Sequence, residues 1–279
     1  MGSPFFFVEN VFSIAQFPLH LVTGNEEPAG NEAFRVADGR RSALDAWTSI
    51  TLNAAAYLQT VCDRPRAANM VALDRGHNLG GKEVQLQCSD DGFTTVQTVA
   101  DIVIPAASAP GSPDDAFGVV TEEGAWLYRF PARASYAWRL NVPAMGAGLK
   151  PKIVGLWLGL GYAPDYFQLP AGPGQGQLLG AESTSDAGWV GRGVVVYRRE
   201  STIALQLPSL FDYDDLARYH LEGHYAGAGR PMWVCFDDAQ ADRTFLAIAP
   251  LGKHGFARQP RWFYPAVELP YEEHEAVRN

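Results

Sequence analysis

The chain has 279 residues, 47% of them hydrophobic and 19% charged, with 31 acidic side chains against 22 basic ones and a net charge of −9. That composition excludes intrinsic disorder, supplies core material for one large or two ordinary domains, and argues against nucleic-acid binding by bulk charge. No uninterrupted apolar run approaches the ~18 residues of a transmembrane helix, so membrane insertion is not expected.

In chain order, Phe5-Phe6-Phe7-Val8 lacks polar alternation and reads as a strand buried on both faces. Residues 1–34 are expected to contribute strands that pack on either of two domains. No basic residue precedes the run, and Glu9 and Pro18 break up the residues after it, so it does not read as a secretory signal. Phe6 stands where a myristoylation signal wants Ser or Thr. Synthesis in a cytoplasm without export is the expectation. Residues 38–60 and 106–116 read as long insertions, and 44–50 reads equally as strand or turn.

Period-two patterns begin at Lys82. Val84, Leu86 and Cys88 share one face and Glu83, Gln85 and Gln87 the other, which predicts a half-buried strand. Ser89-Asp90-Asp91-Gly92 predicts a tight turn, and 94–104 an extended, β-branched segment. Two aromatic-rich strands are expected over 124–130 and 135–142, joined by Pro131-Ala132-Arg133-Ala134, with Tyr136, Trp138 and Leu140 on one face. Residues 153–160 alternate Leu156, Leu158 and Leu160 against Trp157 and Gly159.

The Gly/Pro/Gln stretch from Pro170 to Gln177 marks 166–180 as a linker or long loop. Strands resume at 192–199 and 202–207. Asp212 can cap a short helix whose face carries Tyr213, Leu216, Ala217 and His220, with Gly223 ending it. Strands at 231–236 and 243–249 come next, then a charged tail from Leu269 that reads as extended or loosely held. Residues 35–165 and 181–279 are thus two mostly β domains, the second small and carrying the one helix.

Little in the chain points to catalysis. The cysteines (Cys62, Cys88, Cys235) are too few and too scattered for a disulfide framework or a zinc set, and Cys88 is expected as a buried free thiol. His220 and His224 have the i, i+4 spacing of metal ligands, but Glu222 is out of place for a zinc protease and Gly223 interrupts the helix. His77 is expected to fix its loop by a hydrogen bond to backbone. Asp90 and Asp91 suit either a turn or calcium, and the turn explains them without a metal. Residues 172–176 do not form a phosphate loop, and Arg198-Arg199 reads as a solvated strand end. Trp126, Trp138 and Trp157 suit a core or a sugar platform, with the core favoured. No catalytic residue, metal ligand or cofactor is expected, no ligand-binding residue is singled out, and the chain does not read as an enzyme.

Leu73-Asp74, Val84-Gln85-Leu86, Ser89-Asp90-Asp91-Gly92 and Tyr136-Ala137-Trp138-Arg139-Leu140 occur in the order found in the discoidin-like (factor 5/8 type C, galactose-binding-like) jelly roll. Residues 35–165 resemble that family. The version Asp74-Arg75-Gly76-His77-Asn78-Leu79 resembles minor structural proteins at the tail tip of tailed bacteriophages. The resemblance implies an antiparallel jelly-roll sandwich and a structural minor tail protein located in the virion tail. Its implied partners are tail tube, hub or tip proteins. It also implies a homo-oligomer of three-fold or six-fold symmetry. A carbohydrate-binding module touching a host surface glycan is the alternative it offers. The terminal disulfide pair and membrane-binding aromatic spikes of animal discoidin domains are missing, so lipid binding is not implied.

Overall fold

The computed structural model describes residues 5–7, 10–12, 20–23, 32–37, 46–49, 54–74, 76–105, 118–120, 125–146, 148–162, 176–184, 190–206, 231–235, 244–248 and 266–273. Its strands are β1 (Phe5–Phe7), β2 (His20–Thr23), β3 (Trp47–Thr48), β4 (Ala56–Leu73), β5 (Glu83–Ser89), β6 (Gln97–Val103), β7 (Gly118–Val120) and β8 (Trp126–Val142). Then come β9 (Lys152–Ile153), β10 (Leu156–Gly159), β11 (Gly161–Tyr162), β12 (Gly176–Thr184), β13 (Val190–Gln206), β14 (Pro231–Cys235), β15 (Thr244–Ile248) and β16 (Ala266–Glu273). The one helical element among the described residues is a 3₁₀ turn, Ala33–Ala37. The fold is mostly β, as the sequence predicts; the helix expected near 212–221 lies outside the described residues.

Two compact units divide the chain. The first is built on Phe7–Tyr162, the second on Ala163–Phe236 and Arg243–Asn279 with Ser3–Phe6. In the first, a sheet runs β10-β4-β8-β5-β6, with β2 also on β4 and β7 also on β8. Every one of these pairings is antiparallel. Antiparallel neighbours out of chain order are the connection type of a jelly roll, the class expected here.

The long strands β4 and β8 correct two expectations. The supposed insertion 38–60 contains β3 and the start of β4, and the two strands expected at 124–130 and 135–142 are one. Pattern reading stops at polar residues and proline, but both strands carry these at bulges. Between Val61 and Arg66 the register of β4 against β8 shifts, which places Asp63, Arg64 and Pro65 outside the ladder; all three are exposed. A second shift between Ala68 and Met70 does the same for exposed Pro131 on β8. A bulge is where a proline without an N–H removes no ladder bond. Each half of β4 and β8 then takes different neighbours: β2 and β5 at one end, β10 and β7 at the other.

Core packing follows from the pairing. Leu58, Leu140 and Leu86 stand opposite one another on β4, β8 and β5 and are fully buried. Each contributes roughly 1.5–3 kcal/mol by leaving water. Phe12, Trp47 and Ile153 belong to the same cluster, so the 10–12 segment and the β3–β9 pair help enclose it. Segment 44–50 thus resolves as strand at Trp47–Thr48. At Gly155 an added Cβ would sit 2.5 Å from the Trp157 ring, so only glycine lets the chain turn into β10 there.

Strand β10 ends the sheet, but its edge is not bare. Asn10 Nδ2 donates to the Leu156 carbonyl (2.9 Å), and its Oδ1 accepts from the N–H of Leu158 (3.3 Å) and of Phe12 (3.1 Å). The Val11 N–H donates to the Leu158 carbonyl at 2.7 Å. All four residues of β10 are buried, which replaces the alternation expected over 153–160.

In the second unit the strands run β14-β15-β16-β13-β12, with β1 beside β14. The strands expected at 192–199 and 202–207 are the single β13, and Leu269–Glu273 of the charged tail belong to β16. Arg198 and Arg199 pair with Gln177 and Gly176 inside the β12–β13 ladder, so they are not a strand end. Gly176 and Gln177, assigned to the Gly/Pro/Gln stretch, open β12.

None of the three cysteines forms a disulfide, and all are buried. Burial pushes the Cys88 thiol above its ordinary value, against the pull of Arg133 and of the Ser135 hydroxyl beside it. A buried protonated thiol is a poor nucleophile. In native protein Cys62, Cys88 and Cys235 should therefore resist a water-soluble thiol reagent at mildly alkaline pH, and all should react once guanidinium unfolds the chain. Mass spectrometry of the labelled protein checks this, and rapid native labelling of Cys88 would show that β5 is not packed.

Candidate functional site

The residues singled out from sequence are mostly spent on the fold. His77 Nδ1 accepts from the Leu79 N–H at 3.2 Å, the loop-fixing bond expected of it. Asn78 closes the same loop, donating to the Lys150 carbonyl (2.8 Å) and accepting from the Lys152 N–H (2.8 Å). Trp126, Trp138 and Trp157 are 2%, 0% and 4% exposed, which removes them as a sugar platform. Tyr136 departs from Trp138 and Leu140: it is exposed beside the β4 bulge. His220, Glu222 and His224 lie outside the described residues, as do 172–175.

The turn after β5 is built as a turn. Ser89 Oγ accepts from the N–H of Asp91 (3.2 Å) and Phe93 (2.8 Å) and donates to Asp91 Oδ1 (2.7 Å). The Asp91 carboxylate also accepts from the Thr95 N–H at 2.8 Å, and these bonds hold its pKa below the usual 3.8. Asp90 accepts from Ser135 Oγ at 2.8 Å. The turn extends through Thr95, so β6 starts at Gln97 and not at 94. Among the described residues no group of three or more His, Cys, Asp or Glu side chains is placed to hold a metal.

This turn has one feature beyond its own closure. Gly92 and Phe93 both adopt φ of +70°. For a bulky residue such a backbone is strained, and strain of this kind points toward function. Here it lays the Phe93 ring over the Arg139 guanidinium, 3.9 Å from Cζ to ring centroid. Tyr57 lies 4.4 Å from the same carbon. Arg139 Nε and Nη2 both donate to Gln59 Oε1, at 3.0 and 2.6 Å. Burial lowers the pKa of this guanidinium, and the Tyr57 hydroxyl beside it acts the other way.

Register extends the arrangement into two rows across the face of the sheet away from Leu58, Leu140 and Leu86. One row is Tyr57, Asn141, Gln85 and Asp101; the other is Gln59, Arg139 and Gln87. Gln85 organises it. Its Nε2 donates to Asp101 Oδ1 (2.9 Å), and its Oε1 accepts from Gln87 Nε2 (3.1 Å) and Asn141 Nδ2 (3.2 Å). The sequence places Gln87 outward with Glu83 and Gln85, yet only 9% of it is exposed. Strand β5 is flanked on both sides, so the side chains of neighbouring strands pack around Gln87. Packed planar amides, one arginine and two aromatic rings on a rigid sheet form a preorganised surface for hydroxyl-rich or anionic ligands.

No family model matches this chain, and no curated protein does. Solved structures do show likeness over about half of it. A chitosan-binding module of a chitosanase/glucanase from Paenibacillus sp. IK-5 is 18% identical, covers 54% of this chain and 98% of its own, and gives a TM-score of 0.39. The family 32 carbohydrate-binding module of Streptococcus pneumoniae EndoD is 14% identical, covers 54% and 98%, and gives 0.39. The Clostridium perfringens module CpGH89CBM32-5, in complex with GalNAc-β-1,3-galactose, is 14% identical, covers 53% and 99%, and gives 0.40.

Proposed function

We propose that the first unit is a discoidin-like, non-catalytic module that binds carbohydrate on the outward face of its sheet. The observation that carries this is the pair of rows centred on Arg139. Sugar hydroxyls come in vicinal pairs that accept and donate at once, and side-chain amides and guanidinium forks present matching pairs. The amides of Gln85, Gln87 and Asn141 are oriented by each other and need no reordering on binding. Tyr57 and Phe93 supply apolar area beside them.

Affinity electrophoresis of the full chain through gels containing soluble polysaccharides tests the proposal. At least one polysaccharide should retard the protein, and Tyr57→Ala should weaken that retardation about tenfold. A panel of plant, bacterial and amino-sugar polymers with no retardation would overturn it. The setting we propose is the tail tip of a bacteriophage, where the module meets a host glycan, as a homo-oligomer of three-fold or six-fold symmetry with other tail proteins around it. Its support is the likeness of residues 74–79 to tail proteins. Antibody labelling of particles tests the setting: label at the distal tail supports it, and unlabelled tails reject it.

A further inference from the structure

Arg139 is held differently from the two ion-paired arginines of this unit. Arg35 pairs with Glu32 at 2.6 Å and Arg66 with Asp63 at 2.9 Å. Arg139 is half-buried and has no carboxylate in ion-pair reach among the described residues; its partners are Gln59, Tyr57 and Phe93. The hydrogen bonds are also one-sided. Nε and Nη2 form the side edge of the guanidinium, and both go to Gln59 Oε1. The end edge, with Nη1 and the second Nη2 hydrogen, has no protein acceptor among the described residues. Two parallel N–H groups at that edge match the two oxygens of a carboxylate or a sulfate. The aromatic rings on the guanidinium, together with Gln59, fix its plane before any ligand arrives.

Resting on the carbohydrate reading, we infer that the saccharide bound here carries an oxyanion, a carboxylate or a sulfate ester, and that Arg139 receives it end-on. The amides of Gln87 and Asn141, whose Oε1 and Oδ1 carry no hydrogen bond among the described residues, lie one strand over and two residues along. They are placed to accept from ring hydroxyls of the same sugar. The net charge of −9 repels polyanions at long range, so any preference for an acidic polymer has to come from a local cation.

Affinity electrophoresis against a neutral galactan, polygalacturonate and a sulfated galactan tests this, with wild type, Arg139→Gln, Arg139→Lys and Arg64→Gln run side by side. Arg64 is an exposed arginine on the β4 bulge and controls for bulk charge. The expected result is stronger retardation of wild type by one of the acidic polymers than by the galactan. Arg139→Gln should lose that preference about tenfold, and Arg64→Gln should keep it. Arg139→Lys keeps the charge without the fork and should fall between; it carries the test if melting curves show that the glutamine variant is unfolded. The two acidic gels separate carboxylate from sulfate, and retardation by either supports the inference. Equal retardation by neutral and acidic polymers overturns it while the carbohydrate reading stands. A preference that survives in both Arg139 variants, or falls equally in Arg64→Gln, also overturns it. No retardation by any polymer overturns both readings.

Discussion

Replacing Trp138 with alanine should cost the first unit about 3–5 kcal/mol of unfolding free energy. The side chain is fully buried, meets Phe130 in a tilted contact with ring centroids 6.3 Å apart, and donates from Nε1 to the Arg66 carbonyl at 3.2 Å. That carbonyl belongs to the residue at which β4 rejoins β8 after its bulge. The indole therefore fills the core and adds a hydrogen bond to the backbone where the ladder resumes. Trp138→Phe separates the two effects. It keeps most of the volume and removes the indole hydrogen bond, which should cost about 0.5–1.5 kcal/mol. Urea unfolding followed by circular dichroism reads both variants. A loss below ~1 kcal/mol for the alanine variant would mean that the core closes over the gap.

Leu86→Ala is the second large effect, at about 2–5 kcal/mol, because Leu86 stands beside Leu140 in the buried cluster with no exposed surface. Its neighbour Gln85 faces the other way. Gln85→Ala removes three side-chain hydrogen bonds from a half-exposed face and should cost no more than ~1 kcal/mol. The contrast tests the register: a slip of one residue would exchange the two faces. Equal, small losses at both positions would show that β5 is not seated as described.

The parts of this fold that were legible in the sequence are those where local pattern and tertiary environment agree. In β5 the alternation Val84, Leu86, Cys88 is undisturbed and leads into a turn whose own side chains close it. The same reading fails in β4, where Asp63-Arg64-Pro65 resembles a loop because it is one locally, while the strand continues on either side. In β8 the exposed run from Pro131 to Ala134 hides continuity that only the partner strand imposes. The face around Arg139 escaped for a related reason. Its residues come from β4, β5, β8 and a turn, and Tyr57 and Gln59 lie in a segment that reads as an insertion. One signal was present: the outward positions Gln85, Gln87, Arg139 and Asn141 are all planar amides or guanidinium. Their meeting depends on strand order, which no period reveals.

Asn10 has a consequence for how the chain reaches this fold. Its side chain occupies backbone groups of Leu156 and Leu158 that a further strand would otherwise use. Unguarded, β10 is a short apolar edge, and such edges recruit other chains. The guard and the edge are 146 residues apart in sequence. Closing so long a loop is entropically slow compared with the local β5–β6 hairpin. During synthesis Asn10 emerges long before its partners, and in refolding from denaturant loop entropy favours the edge forming against β4 before the guard docks. The hazard of pairing at this one edge is therefore concentrated in the interval before Asn10 docks. Chain concentration in that interval, more than the melting temperature, should then govern how much of the protein is recovered, which refolding at several dilutions checks.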